Sequence, residues 1–363
     1  MVKVLLILEI ILLLIVAGII FLYSNPVFGG RISKNDRIDY EKRAQNYVKG
    51  KFVYPNEYKI LGEAEDKRVS NKGTSPKAQL PLVKPSITDK LSIDEVTVTW
   101  FGHSTVLLRM HSMNILFDPV FSKRSSPFSF VGPKRFTEAP IDIKDMPDID
   151  IMIVTHNHYD HLDINSIRKF DSRVKRYIVP LGIEKTLMRF GIDKNKIQNM
   201  AWWEEIKING LTIACTPSRH FANRQIFDYG KTLYASWVLK DEKHQIFESG
   251  DGGFGGHFEE IHKRYGDFDL AIMENGQYNI RWHDIHMFPE EARKASNMLG
   301  AKLSMPIHWW TFVLSNHGWD DSVERFVKDL DKNNNEVITP RIGETVNLNR
   351  YTEYQEKWWR KIE

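Results

Sequence analysis

The chain has 363 residues, 42% of them hydrophobic and 12% aromatic, which is enough for one large domain or two small ones with a sizeable core. Its 50 Lys and Arg residues nearly balance its 47 Asp and Glu residues, so the net charge of +3 provides no electrostatic argument for nucleic acid as a partner. The single cysteine, Cys215, excludes an intrachain disulfide framework and a cysteine-based zinc ribbon, so any metal site must consist of His and carboxylate ligands.

The first predicted element is a transmembrane anchor, residues 1–23. Residues 4–23 are almost wholly apolar, with Glu9 as the only charge, and about 20 such residues are enough to cross a bilayer as a helix. A cleaved signal peptide is the alternative, but the apolar run is longer than a usual signal core and residues 22–26 lack a small-x-small cleavage site. Basic residues are denser after the run than before it, which favours a single-pass protein of the cell membrane whose following domain is cytoplasmic.

Residues 24–80 are predicted to form a polar linker or a surface-hugging arm, because they are rich in Lys, Asp and Glu and are interrupted by prolines. Beyond them, short apolar runs alternate with turns and helical stretches, and Asn209-Gly210 between two runs is a strong hairpin signal. These elements indicate a layered α/β architecture with covered sheets. The predicted strands are residues 96–100, 106–110, 114–117, 149–154, 177–179, 206–208, 211–214, 233–239, 245–247, 268–273 and 303–307, and the predicted helices are residues 289–299 and 322–330.

The C-terminal tail, residues 351–363, is amphipathic in composition. Its aromatic and basic residues are interspersed: Tyr354, Lys357, Trp358, Trp359, Arg360 and Lys361. Two interpretations are open. The tail is either an interfacial helix that rests on lipid headgroups or a terminal helix that packs its tryptophans on the domain.

The strongest chemical signal is a cluster of metal-binding residue types directly after the apolar run 149–154. His156 and His158 are two residues apart, so the chain can direct both side chains to one point. The next turn brings Asp160 and His161 to a second point nearby. This spacing suits two adjacent metal ions. The alternative is a solvated polar loop, or a helix N-cap that uses Asp160.

Further ligand candidates follow other apolar runs. His220 follows the run 211–214, Asp251 follows the run 245–247, and His308 follows the run 303–307. Each candidate lies just past the carboxyl end of a predicted buried strand, which is where open α/β sheets place their ligands. A single histidine in such a place is more often structural, but here several segments converge on the same chemistry.

The pattern His-x-His-x-Asp-His, followed by a downstream His, a Gly-Asp and a final His, resembles the metallo-β-lactamase superfamily. That resemblance implies an α/β fold, a four-layer αβ/βα metallo-β-lactamase sandwich with a dinuclear site at one edge, here preceded by one N-terminal transmembrane helix. More narrowly, residues 100–105, 118–122, 132–136, 155–163, 286–292 and 308–312 resemble the N-acylphosphatidylethanolamine-hydrolysing phospholipase D branch. The likeness covers about residues 81–342, and it predicts a hydrolase domain at residues 81–350.

The resemblance also implies a ligand set for two ions. His156, His158 and His220 would hold one metal; Asp160, His161 and His308 would hold the other; and Asp251 would bridge them. Two Zn²⁺ ions suit a His and Asp site without cysteine, and Mn²⁺ or iron remain alternatives. Two adjacent ions lower the pKa of a bridging water and clamp the oxygens of a phosphodiester, so no side-chain nucleophile is needed.

Three residues are predicted to take part in catalysis. Asp160 does so as a ligand, whereas His103 and His286 lie in family-like motifs at positions that do not ligate the metals. We expect these two histidines either to support the ligands or to face the substrate, with a purely structural hydrogen-bonding role as the alternative.

The predicted substrate-binding residues lie in two places. Tyr159 is wedged between ligands and is expected to line the site. Lys134, Arg135 and Phe136 end a segment that mixes basic and aromatic residues, and we expect them to grip a lipid phosphate beside its acyl chain. A solvated surface loop explains the charges of this segment equally well.

The leading hypothesis is a zinc-dependent phosphodiesterase of phospholipase D type. In it, metal-bound hydroxide hydrolyses an N-acyl phosphatidylethanolamine-like lipid to phosphatidic acid and an N-acylethanolamine. One alternative is a hydrolase of the same fold that acts on a lactone, a sugar-phosphate ester or a nucleotide phosphodiester. Another is a non-catalytic metal-binding membrane protein. The expected partners are a phospholipid substrate and the membrane, with a homodimer allowed and no nucleic acid.

Overall fold

The computed structural model describes residues 2–56, 58–62, 73–87, 91–225, 227–276, 278–328 and 335–362. Its helices are α1 (Val2–Ser24), α2 (Lys34–Arg43), α3 (Ile164–Phe170), α4 (Ile183–Phe190), α5 (His257–Tyr265), α6 (Pro289–Met298) and α7 (Asp321–Phe326). The predicted helices 289–299 and 322–330 correspond to α6 and α7. Residues 329 and 330, at the end of the second prediction, lie outside the described ranges.

The strands group into one short hairpin and two larger sheets. Their bounds are β1 (Tyr47–Val48), β2 (Lys51–Phe52), β3 (Thr97–Trp100), β4 (Val106–Met110), β5 (Met113–Phe117), β6 (Ile149–Ile153), β7 (Val174–Pro180), β8 (Ile197–Met200), β9 (Glu205–Ile208), β10 (Leu211–Thr216), β11 (Ser236–Lys240), β12 (Gln245–Glu248), β13 (Leu270–Glu274), β14 (Leu303–Ile307), β15 (Glu336–Val337) and β16 (Thr345–Asn347). The first sheet has the order β16-β3-β4-β5-β6-β7-β8, and the second has the order β15-β14-β13-β12-β11-β10-β9.

Both sheets change from antiparallel to parallel pairing at their centre. In the first sheet, β16 to β5 pair antiparallel and β5 to β8 pair parallel. In the second, β9 to β12 pair antiparallel and β12 to β15 pair parallel. The two halves of the chain therefore repeat the same plan of an antiparallel meander followed by parallel strands.

The sheets and helices form four layers. Side chains such as Trp100 and Ile153 from the first sheet pack against Trp237 and Ile272 from the second in a core between the sheets. Helices α3 and α4 cover the outer face of the first sheet, and α5, α6 and α7 cover the outer face of the second. This confirms the predicted αβ/βα sandwich, in which each sheet is buried on both faces.

Local sequence signals account for several element ends. Asn209 and Gly210 both adopt positive φ, +49° and +98°, which the tight turn between β9 and β10 requires, so the hairpin prediction is confirmed. Asp163 caps α3, because its carboxylate accepts hydrogen bonds from the backbone amide and the hydroxyl of Ser166. Pro289 occupies the first turn of α6, where its missing N–H costs nothing.

Helix α1 stands apart from the layered domain. The segment from Lys3 to Ser24 is long and apolar enough to cross a membrane, with a mean hydropathy of 3.3, and its apolar window is not buried against the described chain. The predicted arm, residues 24–80, follows it and is tied to the domain in its described part. Tyr40 and Phe52 are buried in a cluster that includes Leu181, and residues 63–72 of this segment lie outside the described ranges.

The C-terminal tail packs on the domain instead of presenting its aromatic side chains to lipid. Trp358 and Trp359 are buried in the core between the sheets, and the Trp358 indole N–H donates a hydrogen bond to the carbonyl of Thr339. The interfacial helix was therefore the wrong interpretation of an aromatic and basic composition. Burying two indole rings stabilises the tail on the protein more than an exposed position would.

The direction of the strands determines where the candidate ligands meet. Strands β10 and β12 are both antiparallel to β11, and β12, β13 and β14 are parallel neighbours. All four strands therefore point the same way and end at one edge of the second sheet. The loop that follows β6 of the first sheet meets them there.

Candidate metal centre

Three histidines meet at one side of this edge. His156 and His158 come from the loop after β6, and His220 comes from the loop after β10. The distance from His158 Nδ1 to His156 Nε2 is 2.9 Å, and that from His158 Nδ1 to His220 Nε2 is 3.3 Å. One nitrogen of each ring therefore converges on a common point, as predicted for the first metal position.

A second group forms beside the first. Asp160 Oδ2 lies 3.7 Å from His161 Nε2 and 3.6 Å from His308 Nε2, and those two nitrogens are 3.3 Å apart. His103 joins this group, because its Nε2 lies 2.9 Å from Asp160 Oδ2. The structure thus brings together the three residues expected at the second metal position and adds His103 to their surroundings.

Asp251 lies between the two groups. Its Oδ2 is 3.1 Å from His161 Nε2, 3.2 Å from His308 Nε2 and 3.9 Å from His156 Nε2. Its Oδ1 is buried without a hydrogen-bond partner among the described residues. A buried carboxylate oxygen without a partner is costly unless a ligand satisfies it. The carboxylate is therefore placed to bridge two cations.

The separations between donor atoms fit metal ions. Zinc binds imidazole nitrogen at about 2.0–2.1 Å in a tetrahedral shell, which puts neighbouring donor atoms about 3.3 Å apart. The distances among these donor atoms range from 2.9 to 3.9 Å. Imidazole and carboxylate donors suit zinc, manganese and iron. The residues present thus fit a pair of metal ions.

The protonation of the first group also suits a cation. Burial lowers the pKa of the His158 ring to about 4. Burial and the neighbouring rings hold the pKa values of His156 and His220 well below the usual range. All three rings are therefore neutral near pH 7, which is the form that ligates a metal.

The second group contains opposite charges in the metal-free chain. Burial opposes a charge on His308, but Asp251 and Asp160 outweigh it and raise the pKa of this ring to about 10. Burial likewise opposes a charge on His161, but Asp251 and Asp118 hold its pKa well above the usual range. Protons on these rings stand in for the positive charge that a metal would supply.

Two buried carboxylates support the cluster from behind. Asp118 Oδ2 lies 2.6 Å from His161 Nδ1 and accepts a hydrogen bond from the hydroxyl of Thr155. Glu274 Oε1 lies 3.1 Å from His286 Nδ1. Such carboxylates orient a ring so that its other nitrogen faces the metal or the substrate. Neither residue is predicted from the sequence to belong to the site, although residues 118–122 are part of the family resemblance.

The backbone at this edge is strained. His308 and His103 both have positive φ, +68° and +50°, although neither is glycine. The backbone N–H of His308 donates to the carbonyl of His103, and a side chain at Gly276 would collide with the backbone of His308. The close approach of these segments therefore positions the two histidines at a conformational cost.

An open cavity of about 380 Å³ leads to the cluster. Its polar side comprises His158, Asp160, Asp251, His286 and His308. Its remaining side chains are apolar: Ile60, Leu61, Phe221, Trp282, Ile285 and Leu314. A ligand in this cavity would thus have its polar end at the cluster and an apolar portion against the walls.

The residues predicted for catalysis and substrate binding fall in different places. His286 lines the cavity, whereas His103 is buried behind Asp160. Tyr159 does not line the cavity; its hydroxyl donates to the carbonyl of Arg224, whose guanidinium lies over the tyrosine ring.

The three residues of the basic and aromatic segment also lie outside this cavity. Phe136 packs against the core between the sheets, and Arg135 is buried with its guanidinium near the ring of Phe312. Lys134 is exposed. Arg135 therefore belongs to the wall behind His103, whose ring contacts the same Phe312.

Comparison with known proteins agrees with this geometry. The family model described as "Beta-lactamase superfamily domain" matches residues 113–309, more than half of the chain. The chain belongs to the metallo-β-lactamase superfamily. The resemblance inferred from the sequence is therefore confirmed, and this superfamily member is a metal-dependent hydrolase.

Two curated relatives are similar over most of this hydrolase. An uncharacterised protein of Mycobacterium tuberculosis is 35% identical over 289 residues, covering 78% of this chain and 77% of the relative. The N-acyl-phosphatidylethanolamine-hydrolyzing phospholipase D 1 of Caenorhabditis elegans is 32% identical over 306 residues, covering 80% of this chain and 84% of the relative. Among solved structures, the metallo hydrolase Igni18 of Ignicoccus hospitalis has a TM-score of 0.53 at 21% identity, covering 70% of this chain and 98% of that one. This last likeness concerns the fold alone.

Proposed function

We propose that this metal-dependent hydrolase is a phosphodiesterase of phospholipase D type that cleaves an N-acyl phosphatidylethanolamine-like lipid. The products are phosphatidic acid and an N-acylethanolamine. The observation that carries the proposal is the cavity, in which apolar walls from Leu61, Trp282 and Leu314 adjoin a metal-binding cluster. A phospholipid has the matching chemistry, a phosphodiester beside long acyl chains.

Two further observations support a lipid substrate. The relative from C. elegans, which covers 80% of this chain, is named for hydrolysis of this lipid. The helix from Lys3 to Ser24 is apolar enough to hold the enzyme in a bilayer. An enzyme tethered there meets lipid at a high effective concentration, so weak affinity for a single headgroup suffices.

The ligand residues would hold two divalent ions, most simply zinc, with manganese and iron as alternatives. His156, His158 and His220 would hold one ion, Asp160, His161 and His308 would hold the other, and Asp251, which lies between the two groups, would contribute its carboxylate to both. When bound, such ions lower the pKa of a water molecule and stabilise negative charge on the phosphate oxygens.

The remaining side chains of the site orient the ligands and the substrate and supply a proton to the leaving group. Glu274 contacts Nδ1 of His286 and so leaves the other ring nitrogen available to the cavity. We assign His286 to hydrogen bonding with the phosphate and to protonation of the departing N-acylethanolamine oxygen. His103 acts through Asp160, whose carboxylate it holds at 2.9 Å, and is thus a positioning residue. Phe221 and Ile285 exclude water from the reacting end of the lipid.

An assay with purified, metal-loaded protein tests the proposal. N-acyl phosphatidylethanolamine in mixed micelles should yield phosphatidic acid, and His158→Ala should abolish the product. Asp142→Asn, which changes an exposed carboxylate whose side chain is 75% accessible, is the matched control and should retain activity. If the protein cleaves a lactone, a sugar-phosphate ester or a nucleotide phosphodiester but forms no phosphatidic acid, the proposed lipid substrate is wrong. Activity that His158→Ala leaves unchanged would contradict the assigned site.

We further propose that α1 crosses the cell membrane once and that the catalytic domain is cytoplasmic. Basic residues after the span, such as Arg31 and Lys34, favour this orientation. The native Cys215 is buried, so a cysteine introduced at exposed Glu242 can be labelled selectively. A membrane-impermeant maleimide should label Glu242→Cys only after the cells are permeabilised. Labelling of intact cells would show that the catalytic domain lies on the outer side of the membrane.

A further inference from the structure

A hairpin-like segment of the catalytic domain contacts the end of α1. It runs from Ser122 to Phe136, and its two sides pair through an isolated antiparallel bridge between Arg124 and Lys134. The backbone N–H of Ser125 donates to the carbonyl of Pro133 at 3.1 Å. We call residues 127–131 the tip loop. The bridge and this hydrogen bond close the base of the tip loop.

A row of phenylalanine rings connects the tip loop to α1. The ring of Phe128 stacks on Phe21 of α1 with 6.2 Å between centroids and meets Phe28 edge to face at 6.1 Å. Phe130 in turn stacks on Phe128 at 5.5 Å. Because Phe21 belongs to the apolar helix, the rings of the tip loop lie beside the carboxyl-terminal end of that helix.

The far side of this row has no cover from the described residues of the chain. Phe130 is 78% exposed and Val131 is 49% exposed. Side chains of this size rarely face water side by side unless the surface binds an apolar partner. The partner must therefore be something that also surrounds the adjoining end of α1.

The charges around the tip loop match a phospholipid surface. No acidic residue occurs between Asp118 and Glu138, whereas Lys123, Arg124 and Lys134 are basic. Basic side chains next to exposed aromatic rings are the usual composition of a segment that inserts between anionic headgroups. A solvated loop would gain nothing from the two exposed apolar residues.

The connection between α1 and the domain is held in a fixed arrangement. The buried Arg224 guanidinium donates to the carbonyl of Val27 at 2.7 Å and to that of Asn157, beside the metal ligands, at 2.8 Å. The N–H of Gly30 donates to the Thr186 hydroxyl at 3.0 Å. The segment that leaves the helix is thereby bonded to the catalytic domain, so the orientation of α1 sets the orientation of the domain.

The length of α1 sets the depth of the tip loop. Its apolar span from Lys3 to Ser24, 22 residues, is about 33 Å long at about 1.5 Å per residue, close to the thickness of a bilayer core of about 30 Å. Phe21 lies three positions before the end of this helix, so its ring is about 4–5 Å inside it. Phe128 packs at the same level, and Phe130 lies next to it.

We propose that the tip loop inserts Phe130 and Val131 into the interfacial region of the bilayer leaflet from which α1 emerges. The occupant of this surface is lipid, and Lys123, Arg124 and Lys134 face anionic headgroups around the insertion. Together with α1, the tip loop is a second point of contact that keeps the domain against the membrane. The inference rests on α1 crossing the bilayer and not on the identity of the substrate.

Site-specific fluorescence on the full chain in liposomes tests this proposal. Because Cys215 is buried, single cysteines introduced by Phe130→Cys, Gly18→Cys and Glu242→Cys can each carry an environment-sensitive nitrobenzoxadiazole label. Gly18 has nothing within 4 Å of its added Cβ and lies within α1. Glu242 lies in the exposed turn between β11 and β12, at the edge opposite the metal cluster, and is the control. The liposomes contain phosphatidylglycerol and nitroxide-labelled phosphatidylcholine.

The label at residue 130 should show a blue-shifted emission and should lose intensity with nitroxides placed near the headgroup. The label at residue 242 should remain sensitive to iodide in the water and insensitive to the nitroxides. The tip-loop proposal would be overturned if iodide quenched the label at residue 130 as strongly as the label at residue 242 while the nitroxides quenched the label at residue 18. Absence of lipid quenching at residue 18 would overturn it together with the membrane span. A blue shift at residue 130 without lipid quenching would assign the surface to a second copy of the chain instead. Phosphatidic acid production is measured separately, so failure of the proposed function is distinguishable.

Discussion

Nδ1 of His161 lies 2.6 Å from Oδ2 of Asp118, and both side chains are completely buried. The other carboxylate oxygen of Asp118, Oδ1, accepts a hydrogen bond from the backbone N–H of Thr155, the residue immediately before the segment that carries the candidate ligands. Asp118 therefore holds both the ring of a candidate ligand and the start of the loop that carries four of them. We propose that Asp118 is a positioning residue for the candidate metal centre.

Asp118→Asn tests this role. Asparagine has the same shape and tolerates the positive φ of +40° at this position, so the fold should survive. Loss of the negative charge beside His161 should lower the affinity for metal by about 10–100-fold. Competition with a chromophoric chelator measures the affinity, and Asp142→Asn is the exposed control. An affinity equal to that of the unmodified protein would show that Asp118 serves stability alone.

The centre of the candidate site could be predicted from the sequence because four of its residues lie within six positions of one another. His156, His158, Asp160 and His161 occupy one short loop, and their spacing alone indicates two metal positions. The remaining ligands each follow a recognisable apolar strand. Since strands β10, β12 and β14 end at the same edge, the rule that places ligands after strands selected His220, Asp251 and His308, which the structure brings close to the loop after β6.

Other features depend on contacts that sequence spacing does not encode. Asp118 meets His161 across 43 positions, and Arg224 meets Val27 across 197 positions. Helices α3, α4 and α5 are only seven to nine residues long, too short for a clear hydrophobic period, and were not assigned individually. The burial of Trp358 could not be distinguished from an interfacial position, because both environments favour tryptophan.

Removal of metal should destabilise the protein. Without cations, one buried carboxylate oxygen of Asp251 has no hydrogen-bond partner among the described residues, and the other is held only by neighbouring histidine rings such as His308. Ligand binding to the folded state alone stabilises it by about 4 kcal/mol when free metal is about a thousand times its Kd. Differential scanning fluorimetry with a chelator should therefore give a lower Tm, and added zinc should restore it. An unchanged Tm would mean that the cluster holds no metal.

Metal binding near neutral pH should release protons. In the metal-free chain His308 has a pKa of about 10 and His161 also has a raised pKa, so both rings are protonated at pH 7. A metal binds only the unprotonated nitrogen. Affinity should therefore rise with pH until about the pKa of His308. Calorimetric titrations in buffers of different ionisation enthalpy count the protons released, and an enthalpy independent of the buffer would contradict this expectation.

Arg224 should stabilise the junction between α1 and the domain. Replacement by methionine keeps the length of the side chain but leaves the carbonyls of Val27 and Asn157 without their donor. Loss of buried hydrogen bonds of this kind lowers the free energy of unfolding by about 1–3 kcal/mol. Denaturation in detergent micelles measures the loss, and Arg350→Met, whose arginine is 63% exposed, is the control. Equal midpoints for both variants would show that the junction is not held by Arg224.

The most direct test of the proposed function follows the oxygen atom of water. Metal-loaded protein is incubated with N-acyl phosphatidylethanolamine in water enriched in ¹⁸O, and the products are analysed by mass spectrometry. Attack at phosphorus places the label in the phosphate of phosphatidic acid and leaves the N-acylethanolamine unlabelled. Label in the N-acylethanolamine or in a free fatty acid, or no cleavage of this lipid at all, would contradict a phospholipase D reaction at this centre.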